Sequence, residues 1–164
     1  LHLVSGMLEA EKAISAFLQK QVVVITGAGA AHKGAAGGHV IGVTSDRIEQ
    51  YSPGSTTNKW VSEEIRYPSL RERLYHLVSS CDAAIALSGG IGTLSEVALA
   101  WSLIQTGEIA PKPLVLVGRP WQSIMHTFMK YSEGHVQKEH QELLTLLDEE
   151  TAAVGYLGQA IGDG

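Results

Sequence analysis

The sequence predicts an α/β fold: an open, doubly wound parallel sheet with helices on both faces, formed as a single domain over residues 1–164. Three observations predict this class. Short apolar runs recur along the chain, segments with helical spacing lie between them, and the two kinds of segment alternate. The runs are continuously apolar, which is typical of parallel strands that helices cover on both faces.

The apolar runs rich in Val, Ile, Leu and Ala predict the strands. They lie at residues 21–26 (QVVVIT), 39–44 (HVIGVT), 83–87 (AAIAL) and 113–117 (PLVLV). Residues 143–147 predict a further strand, and residues 1–5 another at the start of the chain. Because parallel strands need crossover connections, helices are expected between them.

Helical spacing of apolar residues predicts the helices. They lie at residues 9–20, 70–80, 93–105, 121–131 and 149–161. Two connections have other features. Residues 51–67 are polar, contain a Pro-Gly pair and predict a long loop, either functional or simply solvated. Residues 27–38 are glycine-rich and at the minimum length for a crossover, so either their helix is stunted or residues of a complete crossover are missing.

Composition limits the classes of function. Apolar residues make up 45% of the chain and charged residues 18%, which is typical of a globular protein. A formal charge of −5 predicts no nucleic-acid partner. The apolar runs are far shorter than the roughly 20 residues that span a bilayer, so no membrane association is expected. The lone Cys81 and the absence of a recognisable leader predict a cytoplasmic location.

The stretch SGGIGTLSE, residues 88–96, is the first candidate site. Gly89, Gly90 and Gly92 follow the strand at 83–87 and precede a helix that is expected to begin near Thr93. Glycines let the backbone approach a ligand, and the free N–H groups of a helix start bind anions. The Thr93 hydroxyl adds a further donor. The alternative is an ordinary strand-to-helix turn.

Glu96 has two interpretations. Three residues after Thr93, it fits a capping box in which its side chain reaches back to the helix start. Alternatively, its carboxylate lies beside a bound phosphate and acts on the sugar that this phosphate carries. The apolar residues that follow on the same helix, such as Val97 and Trp101, predict a raised pKa for Glu96.

The stretch CDAAIALSGGIGTLSEVALAW, residues 81–101, resembles the strand, PGGxGTxxE motif and helix of the LOG ("Lonely Guy") family, proteins long mislabelled as lysine decarboxylases. The resemblance runs from about residue 9 to the C-terminus and includes residues 36–44 and 112–118. It implies a Rossmann-like fold, a homodimer or higher homo-oligomer, and no cofactor or metal. It also implies hydrolysis of the N-glycosidic bond of cytokinin riboside 5′-monophosphates.

The resemblance assigns roles to single residues. Glu96 matches the family's catalytic glutamate, and counting back from the strand at 81–87 places the catalytic arginine at Arg73. The phosphate-binding positions fall on Gly27, Gly29, Ser88, Gly89, Gly90, Gly92 and Thr93.

The sequence departs from the family pattern at three places. Ser88 stands where the motif has proline, and Leu74 stands where a lysine follows the arginine. Thr26 and the two glycines after it match the earlier glycine-rich motif only in part. These departures affect the choice of substrate more than the fold.

Other polar residues carry less information. Without the motif, Arg73 would be read as a surface arginine that pairs with Glu72 or another carboxylate. Asn58 and Glu64 are weaker candidates for contacts with ribose or base. The seven histidines form neither HxH nor HExxH, so no metal site is predicted.

Two hypotheses of different classes follow. The first is a phosphoribohydrolase that cleaves a nucleoside 5′-monophosphate, cytokinin-type or AMP-like. The second is a non-catalytic carrier of a nucleotide or another phosphorylated small molecule. Because a carrier has no use for a carboxylate aimed at an anomeric carbon, Arg73 and Glu96 favour the enzyme. No lysine lies in a setting typical of a pyridoxal phosphate Schiff base, which argues against a decarboxylase.

Overall fold

The computed structural model describes residues 22–25, 41–51 and 61–162. The elements, in chain order, are β1 (Val22–Ile25), β2 (Ile41–Ser45), α1 (Asp46–Tyr51), β3 (Glu63–Tyr67), α2 (Leu70–Ser79), β4 (Ala83–Ala86), α3 (Ile91–Gln105), β5 (Leu114–Val117), α4 (Arg119–Tyr131), α5 (Lys138–Gln141), β6 (Leu144–Leu147) and α6 (Glu150–Gly162). The α/β class is confirmed.

The described strands are all parallel. Four of them form a sheet in the order β1-β4-β5-β6, and β2 pairs with β3 in a separate two-stranded sheet. At the carboxyl edge of the larger sheet, Ile25 lies beside Ala86, and Ala86 lies beside Leu116. Ligands of open α/β sheets bind outside the carboxyl ends of the strands, so this edge positions the site.

The core lies on both faces of the four-stranded sheet. Leu114 and Leu116 of β5 pack on one face with the apolar side of α3 and with Trp121 of α4. Val115 and Val117 pack on the other face with α6. Because successive strand residues point to opposite faces, a strand buried on both must be apolar at every position. This confirms the interpretation of the continuous runs.

The prediction of a loop over residues 51–67 is wrong at both ends. Tyr51 is the last residue of α1, and residues 63–67 form β3, which pairs with β2 along its whole length. The strand reads EEIRY, and its residues are exposed except Ile65 and Tyr67. An edge strand with one solvated face has no continuous apolar run, so the pattern used for the other strands missed it.

Some of the remaining predicted elements are confirmed, and others lie outside the described residues. Strands at 83–87, 113–117 and 143–147 and helices at 70–80, 93–105, 121–131 and 149–161 are confirmed with small shifts in their bounds. The strand at 1–5, the helix at 9–20 and the linker at 27–38 lie outside the described residues. Within the described ranges, every helix is too short or too polar to span a bilayer.

Candidate active site

The glycine loop, residues 88–92, connects the carboxyl end of β4 to α3. Helix α3 begins at Ile91, two residues earlier than predicted, and Gly90 is its N-cap. No side chain caps this end of the helix. Since the first N–H groups of a helix lack internal partners, and Ser88, Gly89, Gly90 and Gly92 are exposed, the loop presents free donors to solvent. This arrangement is suited to an anion.

Thr93 lies beneath the glycine loop and is buried. Its side chain packs against Gly89 so closely that a Cβ atom at position 89 would collide with the Thr93 hydroxyl and Cβ. Glycine at 89 is therefore required by close packing. The Thr93 hydroxyl makes no hydrogen bond to the described residues, which leaves it able to donate to a ligand at the loop.

The capping interpretation of Glu96 is wrong. Because α3 begins at Ile91, Thr93 is already helical and Glu96 lies on the second turn, beyond the reach of the helix start. Its side chain is only 7% exposed and points instead to Arg73 of α2. The predicted start at Thr93 is two residues late, because Ile91 and Gly92 are not strong helix formers.

Arg73 and Glu96 form an ion pair between two helices. Arg73 Nη1 donates to Glu96 Oε1 at 2.8 Å, and Arg73 Nε donates to the Val43 carbonyl of β2 at 2.8 Å. The alternative partner, Glu72, instead accepts from the Ser69 hydroxyl at the start of α2. The structure thus brings together two residues that are 23 positions apart, and the interpretation of Arg73 as a surface arginine paired with Glu72 is wrong.

The electrostatics of Glu96 are set by two opposing effects. Burial raises the pKa of the Glu96 carboxyl, and the Arg73 guanidinium lowers it by charge and by hydrogen bonding; the net direction is upward. A buried carboxyl with a raised pKa and a specific cationic partner, next to a loop suited to an anion, is typical of a catalytic acid or base. This agrees with the raised pKa predicted from the sequence.

A second turn borders the glycine loop at the same edge of the sheet. Gly118, between β5 and α4, has φ of 101°, a conformation that favours glycine. It faces Ser88: a Cβ at position 118 would lie 3.8 Å from the Ser88 hydroxyl oxygen. The Trp121 indole N–H donates to the Leu87 carbonyl at 3.0 Å and ties the start of α4 to the backbone before the loop.

The family described as "possible lysine decarboxylase" matches residues 26–157. The chain belongs to this family. The match covers both halves of the Arg73–Glu96 pair and the whole glycine loop, and it confirms the resemblance to the LOG proteins. No curated protein matches the chain by sequence.

Two solved structures share the fold of this family member. The molybdenum cofactor carrier protein from Chlamydomonas reinhardtii is 21% identical with a TM-score of 0.63, over 98% of this chain and 89% of that one. The molybdenum cofactor binding protein from the phototrophic bacterium Rippkaea orientalis is 20% identical with a TM-score of 0.63, over 95% and 86%. At this identity the likeness establishes the fold alone.

Some predicted site residues of this family member are not placed. Gly27, Gly29 and Asn58 lie outside the described residues. Glu64 is described and lies on β3, where it accepts hydrogen bonds from the Thr44 hydroxyl at 2.6 Å and from Arg66 at 3.0 Å. The hydrogen bond from Thr44, more than the charge of Arg66, lowers the pKa of Glu64. In the described ranges, no group of three or more metal-ligating side chains occurs.

Sequence reasoning missed one atom of the site, the Val43 carbonyl. It holds Arg73 through Nε, but every residue carries a carbonyl, so no residue type marks this role. A weak signal exists: Val43 belongs to a predicted strand, and the carbonyls of an edge strand are available to side chains.

Proposed function

We propose that this protein is a phosphoribohydrolase that hydrolyses the N-glycosidic bond of a nucleoside 5′-monophosphate, cytokinin-type or AMP-like, to the free base and ribose 5-phosphate. The observation that carries the proposal is the Arg73–Glu96 pair, with its buried carboxyl, one turn behind an exposed glycine loop with free backbone donors. In this proposal the loop binds the phosphate, and the Glu96 carboxyl acts on the bond at the sugar.

The phosphate is bound by backbone donors in this proposal. The uncapped start of α3 supplies N–H groups, and the helix dipole adds roughly 0.3 to 1 kcal/mol for an anion. The Thr93 hydroxyl, which has no partner among the described residues, donates a further hydrogen bond. Ser88 is exposed at the start of the loop, and in this proposal its hydroxyl is a further hydrogen-bonding group for the phosphate.

Glu96 then acts on the bond between sugar and base. As a carboxylate it orients or deprotonates the attacking water, or stabilises the positive charge that develops on the sugar as the base departs. Burial helps, since a charge interaction is stronger where water is excluded. The raised pKa of Glu96 keeps the group closer to neutral pH, where proton transfer is most effective.

A carrier is the second candidate, because both solved structures of the same fold are described as molybdenum cofactor carrier or binding proteins. In that case the glycine loop holds the phosphate of a small-molecule cargo and nothing is cleaved. A carrier needs the loop, but it does not need a buried carboxyl paired with an arginine at the sugar position.

A homodimer is part of the proposal. The apolar face of α3 is largely used inside the protomer by Val97, Trp101 and Ile104. Ile91 and Leu94 remain exposed on the same helix, next to the glycine loop. A dimer contact through α3 would therefore use these two side chains and lie close to the site.

Incubation with AMP and with its N6-isopentenyl analogue, followed by chromatography for free base and ribose 5-phosphate, tests the proposal. Wild type should release both products. Glu96→Gln should lower turnover by about 10² to 10⁴-fold, the usual contribution of a general acid or base. Glu108→Gln, an exposed glutamate beyond the end of α3, is the matched control and should retain activity.

Two results would change the conclusion. Full activity in Glu96→Gln would contradict the assigned chemistry. Binding of AMP or its N6-isopentenyl analogue in calorimetry, without release of base from either by wild type, would contradict the hydrolase and support the carrier.

A further inference from the structure

We infer that Arg73 is a positioning residue, which acts through Glu96, and that it is not a ligand of the substrate phosphate. The inference rests on the proposed function and concerns the same site. Arginine is well suited to a direct contact with phosphate, and the inference assigns Arg73 a different role. It also assigns the Val43 carbonyl to the site as the anchor of the guanidinium.

The first reason for the inference is that the Arg73 guanidinium already makes two hydrogen bonds within the protein. Arg73 Nε is committed to the Val43 carbonyl and Nη1 to Glu96 Oε1, both at 2.8 Å. A phosphate recognised by arginine takes two parallel hydrogen bonds from two different nitrogens. Since the single N–H of Nε is in use, such a contact could come only from Nη2 and the remaining N–H of Nη1, which would place the phosphate beside the Glu96 carboxylate.

The position of the pair along α3 is the second step. The phosphate donors lie at the first residues of the helix, whereas Arg73 contacts the helix at Glu96, five residues after Ile91. At a rise of 1.5 Å per residue, Glu96 lies about 8 Å along the axis from Ile91 and about 4.5 Å from Thr93, the phosphate donor nearest to it. The guanidinium is therefore placed at the carboxyl and away from the anion-binding end.

The anchoring of α2 is the third step. The Val43 carbonyl belongs to β2, which pairs with β3 along five residues. The Tyr67 hydroxyl of β3 hydrogen-bonds to His76 Nδ1 at 2.8 Å, one turn after Arg73 on α2. Arg73 thus holds Glu96 against a helix that is itself fixed to a strand pair, which restricts the carboxyl to one orientation.

The test uses Arg73→Gln, with Arg71→Gln as the matched control. Arg71 is exposed, lies on the same helix and makes no contact in the described part of the chain. The pKa of Glu96 is measured by ¹³C NMR of labelled carboxyls, and its signal is assigned by its loss in Glu96→Gln. The Kd of inorganic phosphate is measured by calorimetry. The third measurement is of kcat and KM for AMP.

A positioning role predicts a specific combination of results. In Arg73→Gln the pKa of Glu96 should rise further, because the neighbouring guanidinium lowers it. The kcat for AMP should fall by about 10²-fold or more, as expected when a general acid or base is misplaced. The Kd of phosphate should change by less than about threefold, since a positive charge that is paired with Glu96 and does not contact the phosphate contributes little to its affinity. Arg71→Gln should change none of the three.

A direct phosphate contact predicts a different phosphate affinity. The Kd of phosphate would then rise by about tenfold or more, the effect of losing a charge-assisted hydrogen bond. That result, or a Glu96 pKa that stays unchanged, would overturn the inference.

Two further outcomes are separated by the same measurements. If Arg73→Gln does not fold, Arg73→Lys replaces it: the lysine keeps the charge but cannot hold Val43 and Glu96 together, so kcat falls while phosphate affinity is retained. If wild type binds phosphate but does not release base from AMP, the proposed hydrolase fails, and the NMR and phosphate results decide the role of Arg73 alone.

Discussion

Glu96 shows how a single buried carboxyl is held in place. Its side chain lies on the second turn of α3, and one of its oxygens, Oε1, accepts from Arg73. The other oxygen accepts no hydrogen bond from the described residues, although the side chain is buried. A buried carboxyl oxygen without a partner costs stability. This oxygen is therefore available to accept a hydrogen bond from a ligand or a water.

The pH dependence of stability should report this arrangement. Because burial raises the folded-state pKa of Glu96 above its unfolded value, the folded protein binds the proton more tightly than the unfolded chain. This group's contribution is therefore most favourable below the unfolded pKa of about 4.3 and is lost as pH rises through the raised folded pKa. Urea denaturation across this range should show a steeper fall in the free energy of unfolding for wild type than for Glu96→Gln. Parallel curves would contradict it.

Gly89 gives a second prediction at this scale. A Cβ at position 89 collides with the buried, β-branched Thr93, which has little room to move. Gly89→Ala should lower the free energy of unfolding by about 1 to 3 kcal/mol, the usual range for overpacking. Gly92→Ala is the control, because nothing lies within 4 Å of its added Cβ. An equal loss in both variants would show that the loop does not depend on this contact.

At the scale of single residues, the sequence identified side chains and could not identify backbone atoms. Arg73 and Glu96 were each assigned to the site from the resemblance, and the structure shows that the two are in direct contact. The Val43 carbonyl could not be found in this way. The roles of these residues in binding and catalysis stay predictions until the variants are measured.

Helix α2 is held at both ends. Near its start, Arg73 connects it to β2 and α3; at its end, Lys112 Nζ donates to the carbonyls of Val78, Ser79 and Cys81 at 3.2, 3.2 and 2.5 Å. The last carbonyls of a helix lack internal partners, and a cation near them is favoured by the dipole. Lys112 thus stabilises the helix that carries Arg73.

Lys112→Met should therefore destabilise the protein. The loss is expected at about 1.5 to 3 kcal/mol, the usual contribution of hydrogen bonds to a charged group, and is measured by urea denaturation. Lys138→Met is the matched control: Lys138 is 87% exposed and forms only an i,i+4 pair with Glu142 at 3.7 Å. Such surface pairs contribute about 0.5 kcal/mol or less. A loss below that value for Lys112→Met would contradict the assigned role.

The elements that sequence could predict are those with a strong pattern. Helix α4 and strands β4 and β5 were expected because their residues are continuously apolar or have clear helical spacing. Strand β3 was missed because its pattern of charged residues is that of a solvated edge. The start of α3 was placed two residues late because glycine gives no helix signal even where it serves as the N-cap.

On the scale of the whole molecule, two apolar clusters lie on opposite faces of the four-stranded sheet. The larger is formed around α3 and α4, and the smaller joins β4 and β5 to α6 through Ala153 and Leu157. Parallel sheets are stable when both faces are covered, so α6 is required by the fold although it is far along the chain from β4. A sheet covered by helices on both faces could be predicted from the sequence. Which strands pair in which sheet could not, because strand pairing depends on contacts between residues distant along the chain.

Leu157 tests the importance of the smaller cluster. It is fully buried against that face, so Leu157→Ala should lower the free energy of unfolding by about 2 to 5 kcal/mol, the usual cost of such a cavity. Leu70→Ala, at a leucine that is 44% exposed, should lower it by less than about 1 kcal/mol. Equal effects would show that α6 contributes little to the core.

The bond between the Trp121 indole and the Leu87 carbonyl has a practical consequence. Indole fluorescence depends on the hydrogen bonding and polarity around the ring, and this ring is attached to the backbone one residue before the glycine loop. Ligands that reorder the loop will therefore change the emission of the protein, and the double variant Trp60→Phe, Trp101→Phe, which removes the other two indoles, isolates that signal. The molecule thus contains its own optical probe of occupancy, which allows ligands to be screened without a label and without any assumption that they are cleaved.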